Sequence, residues 1–291
     1  MSETPRIGVI GGSGLYAFAD LTEAREIAVD TPFGAPSDAI VVGALDGVPV
    51  AFLTRHGRGH RLLPGDINYR ANVYALKSLG VTRVLSASAV GSMKEAIRPR
   101  DVVLPDQFID RTHGRASTFF GGGVAAHVAF ADPVCPVTRA ALSQAARASG
   151  AAVHDGGTYL CMEGPAFSTR AESLLHRSWG VDVVGMTNAT EAKLAREAEL
   201  CYATLALVTD YDCWHADEEA VSVGAVVENL KANAALAAAT IRAAAVALAK
   251  TPERACGCAE ALAGALISSP AAIGADVRAR LGILLDKYVA R

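Results

Sequence analysis

At 291 residues, with 51% hydrophobic and 20% charged positions, the chain is long and apolar enough for a substantial core and too apolar for a disordered segment. Its formal net charge of −3 gives no electrostatic footprint for nucleic acid, so an anionic ligand must be held by a local cluster of donors. No apolar run reaches the length needed to cross a bilayer, and Met1 to Arg6 carries no signal-peptide pattern, so a cytoplasmic protein without a membrane partner is expected.

Apolar, strand-like segments lie at 7–10, 39–45, 48–54, 83–88, 101–104, 157–162, 181–186 and 201–208. Helical periodicity fills the intervals: 65–79 stopping at Gly80, 136–149 ending at Gly150, and a third helix opening on the capping-box pattern Thr169-Arg170-Ala171-Glu172 and stopping at Gly180. A short helix over 188–199 and a long Ala-rich one over 222–249, capped by Ser222, follow. The tail, about 252–291, predicts two amphipathic helices separated near Ser268-Ser269-Pro270. This alternation predicts an α/β fold, one domain with a mixed or mainly parallel sheet flanked by helices. Of the six cysteines, three lie in apolar surroundings and read as small buried hydrophobes. Cys256-Gly257-Cys258 could close a strained disulfide or stay reduced, and no histidine or second cysteine pair is close enough in sequence to suggest zinc.

Chemistry-bearing residues recur where strands end. Gly11-Gly12-Ser13-Gly14 offers backbone N–H groups and a hydroxyl to an anion, although it also reads as a plain turn and lacks both the dinucleotide and the P-loop spacing. Arg55-His56-Gly57-Arg58-Gly59-His60 suits bidentate recognition of phosphate, or is an exposed basic loop. Its two histidines are four apart, but in a glycine-rich stretch that does not favour a helical metal site. Ser88 with Ala89, and Met186 with Thr187, close two further strands. Phe167 could stack on a flat ring, or serve as core. Leu205 to Val208 runs into Thr209-Asp210-Tyr211-Asp212. On extended backbone the two carboxylates would point to one side, and their repulsion would raise the pKa of one. Phosphate donors on one side and acids for a basic heterocycle on the other are the equipment for phosphorolysis of a nucleoside.

With these residues in view, the chain resembles the purine nucleoside phosphorylase superfamily, on the branch that acts on S-methyl-5′-thioadenosine. The stretches that carry the resemblance are IGVIGGSGLY (7–16), DTPFGAPSDA (30–39), TRHGRGH (54–60), INYRANVYALK (67–77), DQFIDRT (106–112), MEGPAFSTRAES (162–173), GMTN with EAKLARE (185–197) and TDYDCW (209–214). They occur in order from about residue 7 to 250. The resemblance implies a single domain with a twisted, partly barrel-like mixed sheet, assembled as a homotrimer or a hexamer. It implies phosphate held by Ser13, Arg55, His56, Ser88, Ala89 and Thr187. Met186 would lie beneath the ribose, and Phe167 and Ser168 would line the base pocket. Asp210 would donate a proton to purine N7, and Asp212 would accept from the 6-amino group. Val223 and Val227 would form an apolar pocket for a methylthio group, and His127 would reach the neighbouring subunit's site. Inorganic phosphate is the co-substrate, with no metal or organic cofactor implied.

Ala166, Val90 and Thr190 depart from the pattern without removing an expected contact. A phosphorylase with 6-oxopurine preference is the nearest rival, and the two aspartates and Val223 argue against it. A non-catalytic nucleoside-binding protein would have no use for Arg55 and Ser88. A dinucleotide-dependent dehydrogenase fails on the glycine spacing.

Overall fold

Buried Ile7–Gly11 forms the first strand, β1, and its fully apolar character suits a position between two parallel neighbours. The computed structural model describes residues 4–12, 15, 21–215, 223–251 and 254–289, apart from the side chains at 223, 225 and 226. Ser13 and Ser222 therefore lie outside the described residues. β2 (Thr22–Ile27), β3 (Ile40–Leu45) and β4 (Val48–Thr54) form an antiparallel meander that joins β1 through a parallel β1–β4 pair. β5 (Arg83–Ser92) pairs with β1 in parallel.

The remaining strands are β6 (Val102–Leu104), β7 (Gln107–Asp110), β8 (Val153–Asp155), β9 (Thr158–Cys161), β10 (Val183–Gly185) and β11 (Cys201–Asp210). All eleven strands among the described residues belong to one mixed sheet. β5 is its branch point. Along one edge β11 runs parallel to it from Arg83 to Gly91. Along the other, β1 pairs with Arg83 to Ser86 and β10 with Gly91 and Ser92, leaving 87–90 without a strand alongside.

Helices cover both faces. α1 (Tyr69–Ser78), α4 (Asn188–Glu197) and α6 (Ala275–Leu285) pack in one core cluster, with Val73, Leu76, Leu194 and Leu281 buried. α2 (Pro136–Ala148) and α5 (Val223–Ala249) pack on the opposite cluster through Leu142, Ala146, Ile241 and Leu248. α3 (Arg170–Ser178) carries the expected capping box, with Thr169 accepting from the Glu172 N–H and Glu172 accepting from the Thr169 N–H.

Several expectations are corrected. The first helix begins at Tyr69 rather than 65, because Asn68 turns the chain and its side chain accepts from the Ala71 N–H at 3.1 Å. β2 was not anticipated: it is a solvent-facing edge strand with charged residues and no apolar alternation. β7 and β8 are too short to give a period. The first tail helix is replaced by a 3-10 turn at Gly257–Glu260 followed by a turn through Gly264, whose φ of +72 ends helical backbone. α5 does contain a segment, Val227–Ala249, long and apolar enough to cross a membrane. Here its apolar stripe packs on the sheet.

Candidate active site

A cavity of 670 Å³ opens at the unpaired stretch of β5, walled by the carboxyl ends of β4, β5, β10 and β11. A second recess of 460 Å³, lined by Thr4, Arg6, Val48 and Arg83, lies at the opposite strand ends and gathers no comparable chemistry. Arg55, His56, Ser88, Ala89, Thr187, Met186, Phe167, Asp210, Asp212 and Val227 all line the larger cavity.

Its anion half rests on a buried polar network. The Arg55 guanidinium, 1% exposed, donates from Nε to Glu191 Oε1 at 2.5 Å and from Nη2 to Glu191 Oε2 at 3.1 Å and Ser86 Oγ at 2.6 Å. Nη1 donates to the Ala87 carbonyl at 2.8 Å. Four of its five N–H groups are thus engaged, and among the described residues one on Nη1 is left for a ligand. A Cβ on Gly12 would collide with Nη1 and with the Ala87 carbonyl, so the glycine lets the loop after β1 run directly over the guanidinium. Burial alone would lower the Arg55 pKa, but the Glu191 carboxylate more than offsets it, and the group stays charged. Glu191 Oε2 also accepts from Tyr202 Oη and Ser86 Oγ, both at 2.9 Å, and Asn188 bridges Ser86, Tyr202 and Thr204.

The cradle is consequently close to electroneutral. His56 donates from Nδ1 to the Leu62 carbonyl at 2.9 Å, which leaves Nε2 unprotonated in the neutral ring. Burial, reinforced by the Arg55 charge, pushes its pKa down to about 4. His56 stacks on His60 at a centroid distance of 4.2 Å. Thr187, the N-cap of α4, makes no capping bond; its hydroxyl lies 3.4 Å from Asn188 Oδ1 and lines the cavity at the positive end of that helix. An anion would meet dipoles and hydroxyls over a neutralised arginine.

The carboxylate half departs from the sequence reading in its cause. Asp212 is not on extended backbone: it sits at φ +54, in a turn closed by its N–H donating to Asp210 Oδ1 at 2.8 Å. Burial pushes the Asp210 pKa up to about 6, and the Asp212 charge is the smallest contribution to that shift. Thr209 Oγ1 stands 2.6 Å from Asp210 Oδ2 and 3.2 Å from the Val90 carbonyl. When Asp210 is ionised, Thr209 donates to it. When Asp210 is protonated, it donates to Thr209, which turns its own proton to Val90. Both states are satisfied. By contrast, Asp212 Oδ2 is buried with no donor among the described residues.

The turn is clamped by Trp214, whose indole N–H donates to the Ser92 carbonyl at 2.7 Å, and by Arg177 stacked 3.4 Å from its ring centroid. Met186 is held from behind by Arg115, which donates to its carbonyl at 2.5 Å and pairs with Glu163 at 2.8 Å. Ser168 does not line the cavity; its hydroxyl reaches Met162 Sδ at 3.7 Å and its carbonyl accepts from Cys213. Val223 begins α5, and its side chain lies outside the description, while Val227 and Leu230 on the same helix face the cavity. His127 is exposed, away from this chain's own cavity, with its N–H donating to the Ala265 carbonyl at 2.9 Å. Sequence reasoning missed Thr209, the Arg115 clamp and the Glu191 network. The clearest available signal was Glu191 on the helix that follows Thr187.

The family model for the Phosphorylase superfamily matches residues 6–249. The S-methyl-5′-thioadenosine phosphorylase of Geobacter sulfurreducens is 60% identical over 284 residues, covering 97% of this chain and 99% of that protein. That of Gloeobacter violaceus is 56% identical over 290 residues, covering 98% and 96%. A methylthioadenosine phosphorylase structure from an antarctic soil metagenomic library superposes with a TM-score of 0.92 at 50% identity, covering 98% of this chain and 100% of that one. The Schistosoma mansoni enzyme in complex with adenine gives 0.81 at 39% identity, covering 84% and 92%. Matched over most of its length by the family model and by whole relatives, the chain belongs to the phosphorylase superfamily.

Proposed function

We propose that the chain catalyses phosphorolysis of S-methyl-5′-thioadenosine, giving adenine and 5-methylthioribose 1-phosphate, in purine and methionine salvage in the cytoplasm. The observation that carries the reading is the buried, donor-less Asp212 oxygen beside a carboxyl with a raised pKa, in the cavity that also holds the anion cradle. An adenine brings an N–H donor at position 6 to Asp212 and a basic N7 to Asp210. A 6-oxopurine would set an acceptor against an acceptor, at a cost of about 1–3 kcal/mol.

In this mechanism the C1′–N9 bond breaks with its electrons passing into the purine, and Asp210 protonates N7. A phosphate oxygen then forms the new bond to the oxocarbenium-like C1′. Phosphate is held by Ser13, Ser88, the Ala89 backbone, Thr187 and the remaining N–H of Arg55, and its P–OH donates to the unprotonated Nε2 of His56. Positioning and charge stabilisation supply most of the acceleration. Met186 packs under the ribose and Phe167 over the base. Val223, Val227 and Leu230 favour a methylthio group over a hydroxyl.

Adenine release from S-methyl-5′-thioadenosine is expected to require phosphate, with inosine inert. Equal release without phosphate would make the protein a hydrolase and remove the anion-site roles. Self-association as a trimer completes the reading, with His127 serving a neighbour's site. It is supported by apolar side chains left exposed around the cavity and on α3, namely Leu63, Phe167, Leu174, Leu175 and Trp179. Light scattering should give the mass of three chains, or of six in a hexamer. A monomer with full activity would dismiss any role for His127.

A further inference from the structure

Four of the six cysteines, separated by up to 123 positions along the chain from Cys135 to Cys258, converge at one point far from the cavity. The Sγ atoms of Cys135, Cys201, Cys256 and Cys258 all lie within 4.8 Å of one another. Cys256 Sγ is 3.7 Å from Cys135 Sγ and 3.5 Å from Cys201 Sγ. A tetrahedron of sulfurs around zinc, with bonds of about 2.3 Å, has edges of roughly 3.8 Å. A disulfide needs about 2.05 Å, and all six cysteines are free thiols. We infer that Cys135, Cys201, Cys256 and Cys258 form a closed tetrathiolate site for one zinc ion.

The scaffold fixes two ligands independently of the others. Cys135 is the N-cap of α2, with its N–H donating to the Tyr202 carbonyl at 2.8 Å, and Cys201 opens β11, with its N–H donating to the Thr82 carbonyl at 3.0 Å. The other two flank Gly257 at the start of the 3-10 turn, where an i, i+2 spacing presents both sulfurs to the same point. Three of the four residues are buried and the fourth is half-buried, so the shell has no open position for water or substrate.

Thr138, in the first turn of α2, has a fully buried hydroxyl for which no oxygen or nitrogen acceptor is found among the described residues. It stands beside Cys135, where a thiolate would accept it, as outer-shell groups do at tetrathiolate sites. Four thiols binding Zn²⁺ release four protons and leave a complex of net charge −2. The N-terminus of α2 lies against that charge.

The site is structural in kind. Cys201 and Asp210 stand at opposite ends of β11, nine residues or roughly 30 Å apart. The metal would staple the tail to the sheet just beyond residue 249, where the family match ends. That tail delivers Leu262, Ile273, Val277 and Leu281 to the core and supplies the carbonyl that holds His127. Sequence spacing hid the site because no two of its three ligand-bearing segments are neighbours in the chain.

The test is elemental analysis of the untagged full-length protein, expressed with zinc and purified without chelator. One zinc per chain is expected, retained by Cys161→Ser and lost from the Cys256→Ser/Cys258→Ser double variant. Cobalt-grown wild type should show the visible absorption of tetrahedral tetrathiolate cobalt, which decides the matter if the double variant does not fold. Zinc-free wild type without that spectrum overturns the proposal. So does full zinc retention by the double variant, or a thiol count after denaturation that falls by four because the cluster is held as two disulfides.

Discussion

Asp210→Asn is expected to lower kcat/KM for S-methyl-5′-thioadenosine by about 10²–10⁴-fold, the usual worth of a positioned general acid. The substitution keeps the shape of the site. An asparagine carbonyl still accepts the Asp212 N–H, and its amide still donates to Thr209, which can donate to Val90. What disappears is the transferable proton. In its place the amide N–H₂ offers a donor to a 6-oxopurine, so the ratio of inosine to methylthioadenosine turnover should rise. An unchanged ratio in the variant would mean that this carboxyl does not read the base.

The pH dependence follows from the same burial. With a pKa raised to about 6, Asp210 is half protonated near pH 6, and its acid form falls tenfold for each pH unit above. The limb of kcat/KM that descends through about pH 6 should therefore be present in the wild type and absent from Asp210→Asn. Stability carries the matching sign. A carboxyl whose pKa is raised on folding contributes stability that is complete below about pH 4 and is lost as pH rises through about 6. The asparagine variant should thus melt higher than wild type at pH 7.5 and no higher at pH 4. The difference is worth roughly 2–3 kcal/mol from the size of the shift. The acid catalyst is kept at the expense of stability.

The sheet's central strands were legible because β1, β5 and β11 are runs of mostly apolar and small residues ending in glycine, serine or aspartate. Chemistry placed at strand ends is readable, since sheet geometry brings those ends together whatever lies between. Thus Arg55, Ser88, Thr187 and Asp210, drawn from four separate elements, line one cavity. The source of the Asp210 shift was misread because burial depends on neighbours distant in sequence, whereas the charge of Asp212 is visible two residues away. The Glu191 network was invisible for a related reason: a glutamate in a helix reads as solvent-facing until the arginine beneath it is located. The cysteine cluster is the extreme case, assembled from α2, β11 and a turn in the tail.

Glu191→Gln should have the largest effect on stability among changes that never touch the substrate. Removing one partner of a buried ion pair leaves the other charge uncompensated, typically at a cost of 3–5 kcal/mol. Here the stranded group is Arg55, whose charge Glu191 sustains against burial. The glutamine also sets an N–H₂ group against donors from Arg55, Ser86 or Tyr202. Melting in phosphate-free buffer should fall sharply. Phosphate should then restore more stability than it adds to the wild type, because the bound anion takes over the role of the missing carboxylate. Glu191→Asp keeps the charge but shortens the reach, and should show a smaller deficit and a weaker rescue. An identical phosphate shift in wild type and Glu191→Gln would mean that Arg55 does not face the anion. A phosphate shift larger in the variant than in the wild type would explain why the cradle is built on a neutralised arginine: the empty site stays stable, and phosphate can bind and leave within each turnover.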